Sequence, residues 1–565
     1  MSTSADLAKT STAAGFNYLW GLVISVFISF IGTYYLAAQL GEIAYGLYST
    51  AIIFPNLLML FRDWGINQAI VRYTAKYRAE NREAEIKSIF IVGILFEAIV
   101  GFILSIIIFF MAGYLANNFF LAPEVTLLLQ IAAFSILAQG IFTAATAIFT
   151  GTEKMAYNSV MLICQSTIKT IFAIALIKIG LGVTGAITGF TLSFTIAALL
   201  GIAFIIHLYR KLPKNSTTPY NLNLKKYTKK MLKYATPLAI LAILSGVLAQ
   251  FYALLLTSKF SPVASNQLLI GNYFLAVSFV VLISFFSLPI NSLLFPAFSK
   301  LDINKDKTTL KNVFQTSVKY SALIVIPVTT IVMCLSTQAV HTIFPDKYEL
   351  TPIFLTLLSI NYLFSAAGSL SVGNIINSQG QTGINLKLNI ITAAIGFPLG
   401  TLMIIYHGVF GLIFTSIIAP IPSLILSLIW IKKHYNLNIN WTSSIKILTS
   451  SAITATLTYI LINYILNTNP LHKLYTLSAT FLNTNLLNKL GYTITALWVS
   501  SAFQLTIGTI FFIITFISII ILTKTLSTRD INNLRDMTTS LGPITKTIHI
   551  ILNTMEKIMK KLKLT

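Results

Sequence analysis

Lys169 stands near the middle of an apolar run, residues 157–178, that is long enough to cross a membrane. At 1.5 Å per residue it lies about 12 residues, or roughly 18 Å, from the inner end of that run. A charge at such depth costs several kcal/mol unless it is paired or meets water. Gln165, one turn earlier, shares its helical face. Glu97 lies at similar depth in the run 88–114. Gln139 is central in 125–149, Gln250 in 235–258 and Asn361 in 350–376, while Asn272 and Tyr273 fall in the outer half of 265–296. Two chemistries fit this set. In one, Lys169 pairs with Glu97 and the amides make scattered interhelical hydrogen bonds. In the other, a water-filled cavity lets Lys169 meet an anionic headgroup. Glu97 is the single mid-span acid, and so the candidate for holding a coupling proton or sodium ion.

Arg62 and Asp63 close the run 44–61. As sequence neighbours they cannot face one another on a helix. They read either as interfacial residues that follow the inside-positive charge rule, or as a functional couple. In the second case Arg62 or Arg72 attracts a phosphate from the cytoplasm and Asp63 acts as gate or orienter.

Other chemistry finds few carriers. The chain has no phosphate-binding loop, no HExxH pair, no cysteine–histidine metal spacing and no triad, and no cofactor is expected. Its six histidines (His207, His341, His407, His434, His472 and His549) stand singly in loops or near run ends. A membrane glycosyltransferase or ligase needs carboxylates or basic groups on a sizeable outer loop to activate an acceptor or hold a metal. The outer acids are Glu42, Glu124, Asp346 and Glu349, and the longest outer loop, 467–493, has none. The chain is therefore expected not to be an enzyme.

The elements that must position these residues are membrane helices. The 565 residues are 56% hydrophobic and 10% charged, against roughly 25% charged in soluble domains. Fourteen apolar runs are expected to span: 15–38, 44–61, 88–114, 125–149, 157–178, 182–206, 235–258, 265–296, 319–343, 350–376, 384–406, 409–431, 446–466 and 494–523. Each is far longer than a strand requires, and a helix satisfies its own backbone in lipid. Residues 1–12 are polar and no cleavage site follows, so the first run is expected to remain as a span. Cys164 and Cys334 both sit inside apolar runs, which argues against a disulfide framework.

Loop charge sets the expected orientation. Of the 39 Lys and Arg residues, 33 fall at the N-terminus, the even-numbered exits and the tail; five fall on the opposite side and Lys169 lies within a span. That bias places both termini in the cytoplasm of an inner (plasma) membrane protein. It also accounts for the net charge of +23 without nucleic acid.

The longest inner loop, 210–234, carries eight basic residues and no acid, and divides the runs six and eight. A faint repeat supports two lobes: YGLYSTA at 45–51 resembles IGNYFLA at 270–276, and GINQAIVRYTAK at 65–76 lines up with PINSLLFPAFSK at 289–300. Parallel repeats of this kind occur in transporters whose site lies between halves. The expected organisation is an N-lobe (1–207), a basic connector (208–234), a C-lobe (235–431), two further helices (432–523) and a cytoplasmic tail (524–565). In the tail, residues 548–564 are amphipathic and expected to lie on the inner membrane surface, drawn to anionic lipid.

Residues 38–77 carry the pattern LGxxxYGLY, an apolar stretch, then DxGxxxAxxRY. This resembles the opening helix pair of the polysaccharide flippases, the oligosaccharide-lipid exporters of the multidrug/oligosaccharidyl-lipid/polysaccharide superfamily. The resemblance implies an all-α polytopic fold with two six-helix lobes around a central cavity and two appended helices. It implies alternating access that moves a polyprenyl-(pyro)phosphate-linked oligosaccharide between leaflets, with a polysaccharide polymerase or glycosyltransferases as partners. Cavity basic residues hold the phosphates in that family, and Lys169 and Arg62 are the matching positions here. The alternatives are an ion-coupled drug exporter of the same superfamily, for which Glu97 would be the sole mid-span carboxylate, and a membrane glycosyltransferase or ligase. A non-transporting scaffold predicts no cavity at all.

Overall fold

The computed structural model describes residues 4–80, 82–211, 223–263, 265–299, 301, 307–466, 468, 475–478, 480, 495–538 and 544–561. Among these residues the chain is helical throughout and contains no strand. In order, the helices are α1 (Ser4–Arg62), α2 (Ile66–Ala79), α3 (Glu83–Tyr114), α4 (Val125–Gly151), α5 (Met155–Leu176), α6 (Gly182–Lys211) and α7 (Leu224–Thr257). They continue as α8 (Gln267–Ser299), α9 (Lys307–Cys334), α10 (Ser336–Ile343), α11 (Thr351–Leu363), α12 (Ser369–Ser378), α13 (Thr382–Ile418) and α14 (Pro420–Tyr435). The last four are α15 (Trp441–Ile460), α16 (Ala496–Leu522), α17 (Thr528–Thr538) and α18 (Ile544–Lys561).

Nine helical stretches among the described residues are long and apolar enough to cross a membrane. Three of them, of 43, 56 and 54 residues, are far longer than the ~20 residues one crossing needs. Each is broken at glycine. Gly41 turns α1 at φ 74°, and Gly408 turns α13 at φ 54°. An L side chain is strained there, so glycine is what lets the helix break at these points. The third break lies at Gly180–Gly182, between α5 and α6. Among the described residues the pair α11–α12, bent by 54° at Gly368, adds a tenth candidate span, and α7 contributes a shorter apolar stretch, Gly246–Thr257. The expected run 319–343 is in fact two helices, α9 and α10, with Leu335 between them. The protein is an all-α polytopic membrane protein.

The described chain forms two compact units, residues 1–275 with 393–415, and residues 276–392 with 416–565. In the first, α1 and α5 approach closely through small residues. A side chain on Gly21 would collide with Ser159, and one on Gly32 with Thr170. Thr170 Oγ1 donates to the Ile28 carbonyl at 3.2 Å, and Ser25 Oγ to the Leu162 carbonyl at 3.2 Å. Without water to drive apolar association, such close backbone approach and interhelical bonding are what hold membrane helices together. The segment after Arg62, expected as a loop, is α2. Its residues Ile66, Ala69, Ile70 and Tyr77 are buried at helical spacing, in one cluster with Phe90, Ile148 and Phe149.

In the second unit the tail departs from expectation. Three residues of the apolar face of α18 are covered by protein rather than left for lipid: Leu552, Met555 and Met559 are buried with Ile520, Ile521, Leu526 and Ile531. The side chains of Ile548, Ile551 and Ile558 lie outside the described residues. Two polar clamps fix it. Asp530 accepts from Lys319 Nζ at 2.7 Å and from Tyr320 Oη at 3.1 Å. Arg535 donates to Glu556 and to Asn553, both at 2.8 Å. Burial raises the Asp530 pKa, but the bonds from Lys319 and Ser527 outweigh it and hold the carboxyl below its ordinary value. Residues 562–564 of the expected amphipathic stretch lie outside the described residues.

Candidate functional site

Two sites in the first unit gather the charged residues singled out by sequence, and they differ in kind. In the first, Arg62 ends α1. Trp64 (φ 44°) and Gly65 (φ 72°) then take the chain through two left-handed residues into α2. The Arg62 side chain is thereby turned into the helix bundle, where it is 2% exposed. Its Nε meets Glu97 Oε2 at 2.6 Å, Nη2 donates to Thr143 Oγ1 at 2.8 Å, and Nη1 to the Ile136 carbonyl at 3.3 Å. Gly140 makes the room: a Cβ there would come within 3.1 Å of the Glu97 carbonyl and 3.3 Å of Arg62 Cδ. Arg62 is thus neither interfacial nor open to a phosphate in this conformation.

Glu97 is fully buried and pairs with Arg62, which sets aside the first of the two readings, a Lys169–Glu97 pair. Its second oxygen, Oε1, has no hydrogen-bond partner among the described residues. The Asp63 carboxyl stands within interaction range of Glu97, and its Oδ1 accepts from the Asn67 amide at 2.9 Å. Arg62 pairs with Glu97 alone, and Asp63 stands beside that pair. Of the two arginines proposed to meet phosphate, Arg72 is the exposed one, with its guanidinium 4.0 Å from the Tyr234 ring centroid.

The second site is Lys169. It sits on α5, 14 residues beyond Met155 or about 21 Å along the helix axis. It is half-buried and makes no hydrogen bond or ion pair among the described residues. Around it is a narrow cavity lined by Gly32, Thr33, Leu36, Tyr45, Tyr48 and Thr170. The cavity has about 20 Å³ open to water, room for little more than one molecule. Tyr45 and Tyr48 form one wall, stacked with centroids 5.9 Å apart. Gln165 does not line this cavity; it donates to Ser193 Oγ at 3.1 Å and ties α5 to α6.

The remaining amides are dispersed. Gln139 donates to Ser135 Oγ at 3.1 Å within its own helix. Gln250 is half-buried on α7. Asn272 donates to Glu42 Oε2 at 2.8 Å. Asn361, in the second unit, donates to Ser416 Oγ at 3.4 Å. They do not form one polar lining.

The Asn272 bond belongs to an arrangement that the search for charged residues missed. A Cβ on Gly46 would fall on the Gln267 carbonyl oxygen, and one on Gly271 would fall on the Glu42 carbonyl oxygen. Glu42 and Gln267, like Gly46 and Gly271, are 225 residues apart, the spacing of the YGLYSTA–IGNYFLA repeat. Residue i of one copy meets residue j of the other, and j meets i, as across a two-fold axis. Thr50 Oγ1 adds a bond to Gln267 Oε1 at 3.3 Å. The repeat in the sequence was the signal; what it could not say is that the two copies touch.

Residues 13–302, just over half of the chain, match the family described as polysaccharide biosynthesis protein. The chain belongs to that family. An uncharacterized membrane protein of Methanocaldococcus jannaschii, MJ1068, is 25% identical over 426 residues, which is 72% of this chain and 81% of that protein. Among solved structures, the lipid II flippase MurJ in an inward closed conformation superposes with a TM-score of 0.64 at 15% identity, over 88% of this chain and 97% of that one. An inward-facing multidrug resistance transporter of the MATE family superposes at 0.56 and 13% identity, over 74% and 94%. This member of the polysaccharide biosynthesis family thus has the fold shared by MurJ and the MATE transporters.

Proposed function

We propose that this protein is a flippase that carries a polyprenyl-(pyro)phosphate-linked oligosaccharide from the cytoplasmic to the outer leaflet by alternating access, for assembly of a surface glycan. Both termini lie in the cytoplasm. The observation that carries this reading is Lys169, a cation deep in the membrane-spanning part of α5 for which the protein supplies no anion among the described residues. A phosphate oxygen supplies what is missing, and a lysine meets it as a mobile point charge. The headgroup cannot cross lipid unaided, so the protein supplies the polar path while the prenyl tail stays in the bilayer.

The coupling ion, a proton or Na⁺, is assigned to Glu97. Its Oε1 has no hydrogen-bond partner in the geometry of the described residues, and the Asp63 carboxyl stands close enough to share a cation with it. A drug exporter of the same superfamily is the weaker reading, because the Lys169 cavity is cationic. Catalysis is not part of the proposal.

The test is surface glycan in a flippase-deficient strain complemented at matched protein level. Lys169→Ala should abolish export and Lys169→Arg should keep part of it. Wild-type export by Lys169→Ala would remove the headgroup site from Lys169.

A further inference from the structure

The second unit holds a cavity that the proposed transport step does not use. It lies where α9 ends and α10 begins, and has a volume of about 770 Å³. That is inside the roughly 300–1,000 Å³ typical of small-molecule sites. α9 starts at Lys307, near the basic residues of this unit, and runs 28 residues to Cys334 at the cavity wall. The cavity therefore opens some 40 Å away from the basic end, at 1.5 Å per residue. Under the proposed orientation it faces the outside.

Its walls carry two chemistries. On one side are Asp346 and Glu349, and neither carboxylate makes a hydrogen bond or an ion pair among the described residues. His341 lies near enough to both to interact electrostatically, and Lys347 and Thr337 add donors. On the other side are Ile353, Leu497 and Tyr459, which are 47%, 38% and 56% exposed. A pyranose matches this division: its vicinal hydroxyls donate to carboxylates, and its C–H face lies on an apolar or aromatic wall.

Other occupants fit less well. No group of three metal-ligating side chains occurs among the described residues. An acyl chain would have to desolvate two carboxylates and a lysine. The two carboxylates outnumber the one lysine of the lining, so an acidic sugar is disfavoured. We propose that this cavity is a saccharide-binding site for a neutral or amino sugar, which receives the glycan headgroup at the outer face. In that role it rests on the flippase reading, but its binding chemistry is tested without transport.

The full chain is purified into lipid nanodiscs and probed by saturation-transfer NMR with methyl glucoside, glucosamine, N-acetylglucosamine and glucuronate. At least one neutral or amino sugar should receive saturation, and glucuronate should bind at least tenfold more weakly. Asp346→Asn with Glu349→Gln removes charge-assisted acceptors and should weaken binding by about tenfold or more at an unchanged melting temperature. Tyr459→Ala should weaken it separately. Lys169→Ala should bind sugar as the parent does, so loss of export there leaves this site standing. The proposal is overturned if none of the four sugars binds, if glucuronate binds as well as the others, or if the double variant binds normally.

Discussion

Arg62–Glu97 and Lys169 are both charges inside the membrane-spanning part of the first unit, yet they are handled in opposite ways. Arg62 reaches a carboxylate, a hydroxyl and a carbonyl at 2.6, 2.8 and 3.3 Å, and both partners of the ion pair are out of contact with solvent. Lys169 has no such partner among the described residues and keeps a cavity about one water wide. A buried charge that is paired within the protein is held by its partner, and removing that partner is costly. A buried charge that the protein leaves unsatisfied is available to a ligand, and removing it relieves a desolvation cost.

The largest expected effect separates the two. Lys169→Met should abolish surface glycan while the melting temperature of the purified protein stays level or rises, since a desolvated charge is removed. Arg62→Ala should do the reverse and act through folding, because it strands Glu97. Breaking a buried pair costs about 3–5 kcal/mol, read as a large fall in melting temperature and in membrane-inserted protein. The double change Arg62→Leu with Glu97→Leu should recover much of that loss. If Lys169→Met melted as low as Arg62→Ala, the distinction between the sites would collapse.

A smaller effect is expected at the repeat contact. Gly271→Leu drives a side chain into the Glu42 backbone, which cannot move aside as a flexible side chain would. Overpacking of this kind costs roughly 1–3 kcal/mol. Gly46→Leu should cost a similar amount, because its contact with Gln267 is the reciprocal one. Melting temperatures of the two variants, compared with Gly113→Leu, where only Thr126 is within 4 Å, check this. Equal melting for all three would show that the close approach carries no energy.

Of comparable size is Thr143→Val, which removes one acceptor from the Arg62 guanidinium and should cost about 1–3 kcal/mol without touching Lys169. Export at matched protein level should be unchanged.

The smallest effect concerns the tail. Because Asp530 is held below its ordinary value, its contribution to stability is fully present above the unfolded pKa near ~3.9 and is lost as pH falls through the folded value. Asp530→Asn should therefore speed proteolytic release of α17–α18 at pH 7, and the difference from the parent should vanish in strong acid. A release rate equal to the parent's at pH 7 would mean that the Lys319–Asp530 clamp does not hold the tail.

Parts of this arrangement were legible in the chain. The helix break at Gly41 was visible as a polar turn between two apolar runs, and the tail's amphipathic pattern was plain. What covers that pattern was not: Leu552, Met555 and Met559 look the same in sequence whether they meet lipid or Leu526 and Ile531. Arg62 likewise looked interfacial, because an arginine one residue past an apolar run obeys the inside-positive rule. Its burial depends on the left-handed turn at Trp64–Gly65 and on the space left by Gly140.

The sequence by itself determined that the chain is helical and membrane-spanning, which family it joins, and that Lys169 and Glu97 fall in the middle of apolar runs. Those properties add up locally along the chain, from the length of each apolar run and the position of each charge within it. Only the tertiary structure decided that Glu97 belongs to Arg62 and not to Lys169, that the two copies of the repeat pack reciprocally, and that the tail docks on the second unit. Each of these is a choice among partners. Depth in the membrane sets what an unpaired charge costs, but which helix stands beside it, and whether a glycine leaves room, sets whether that cost is met.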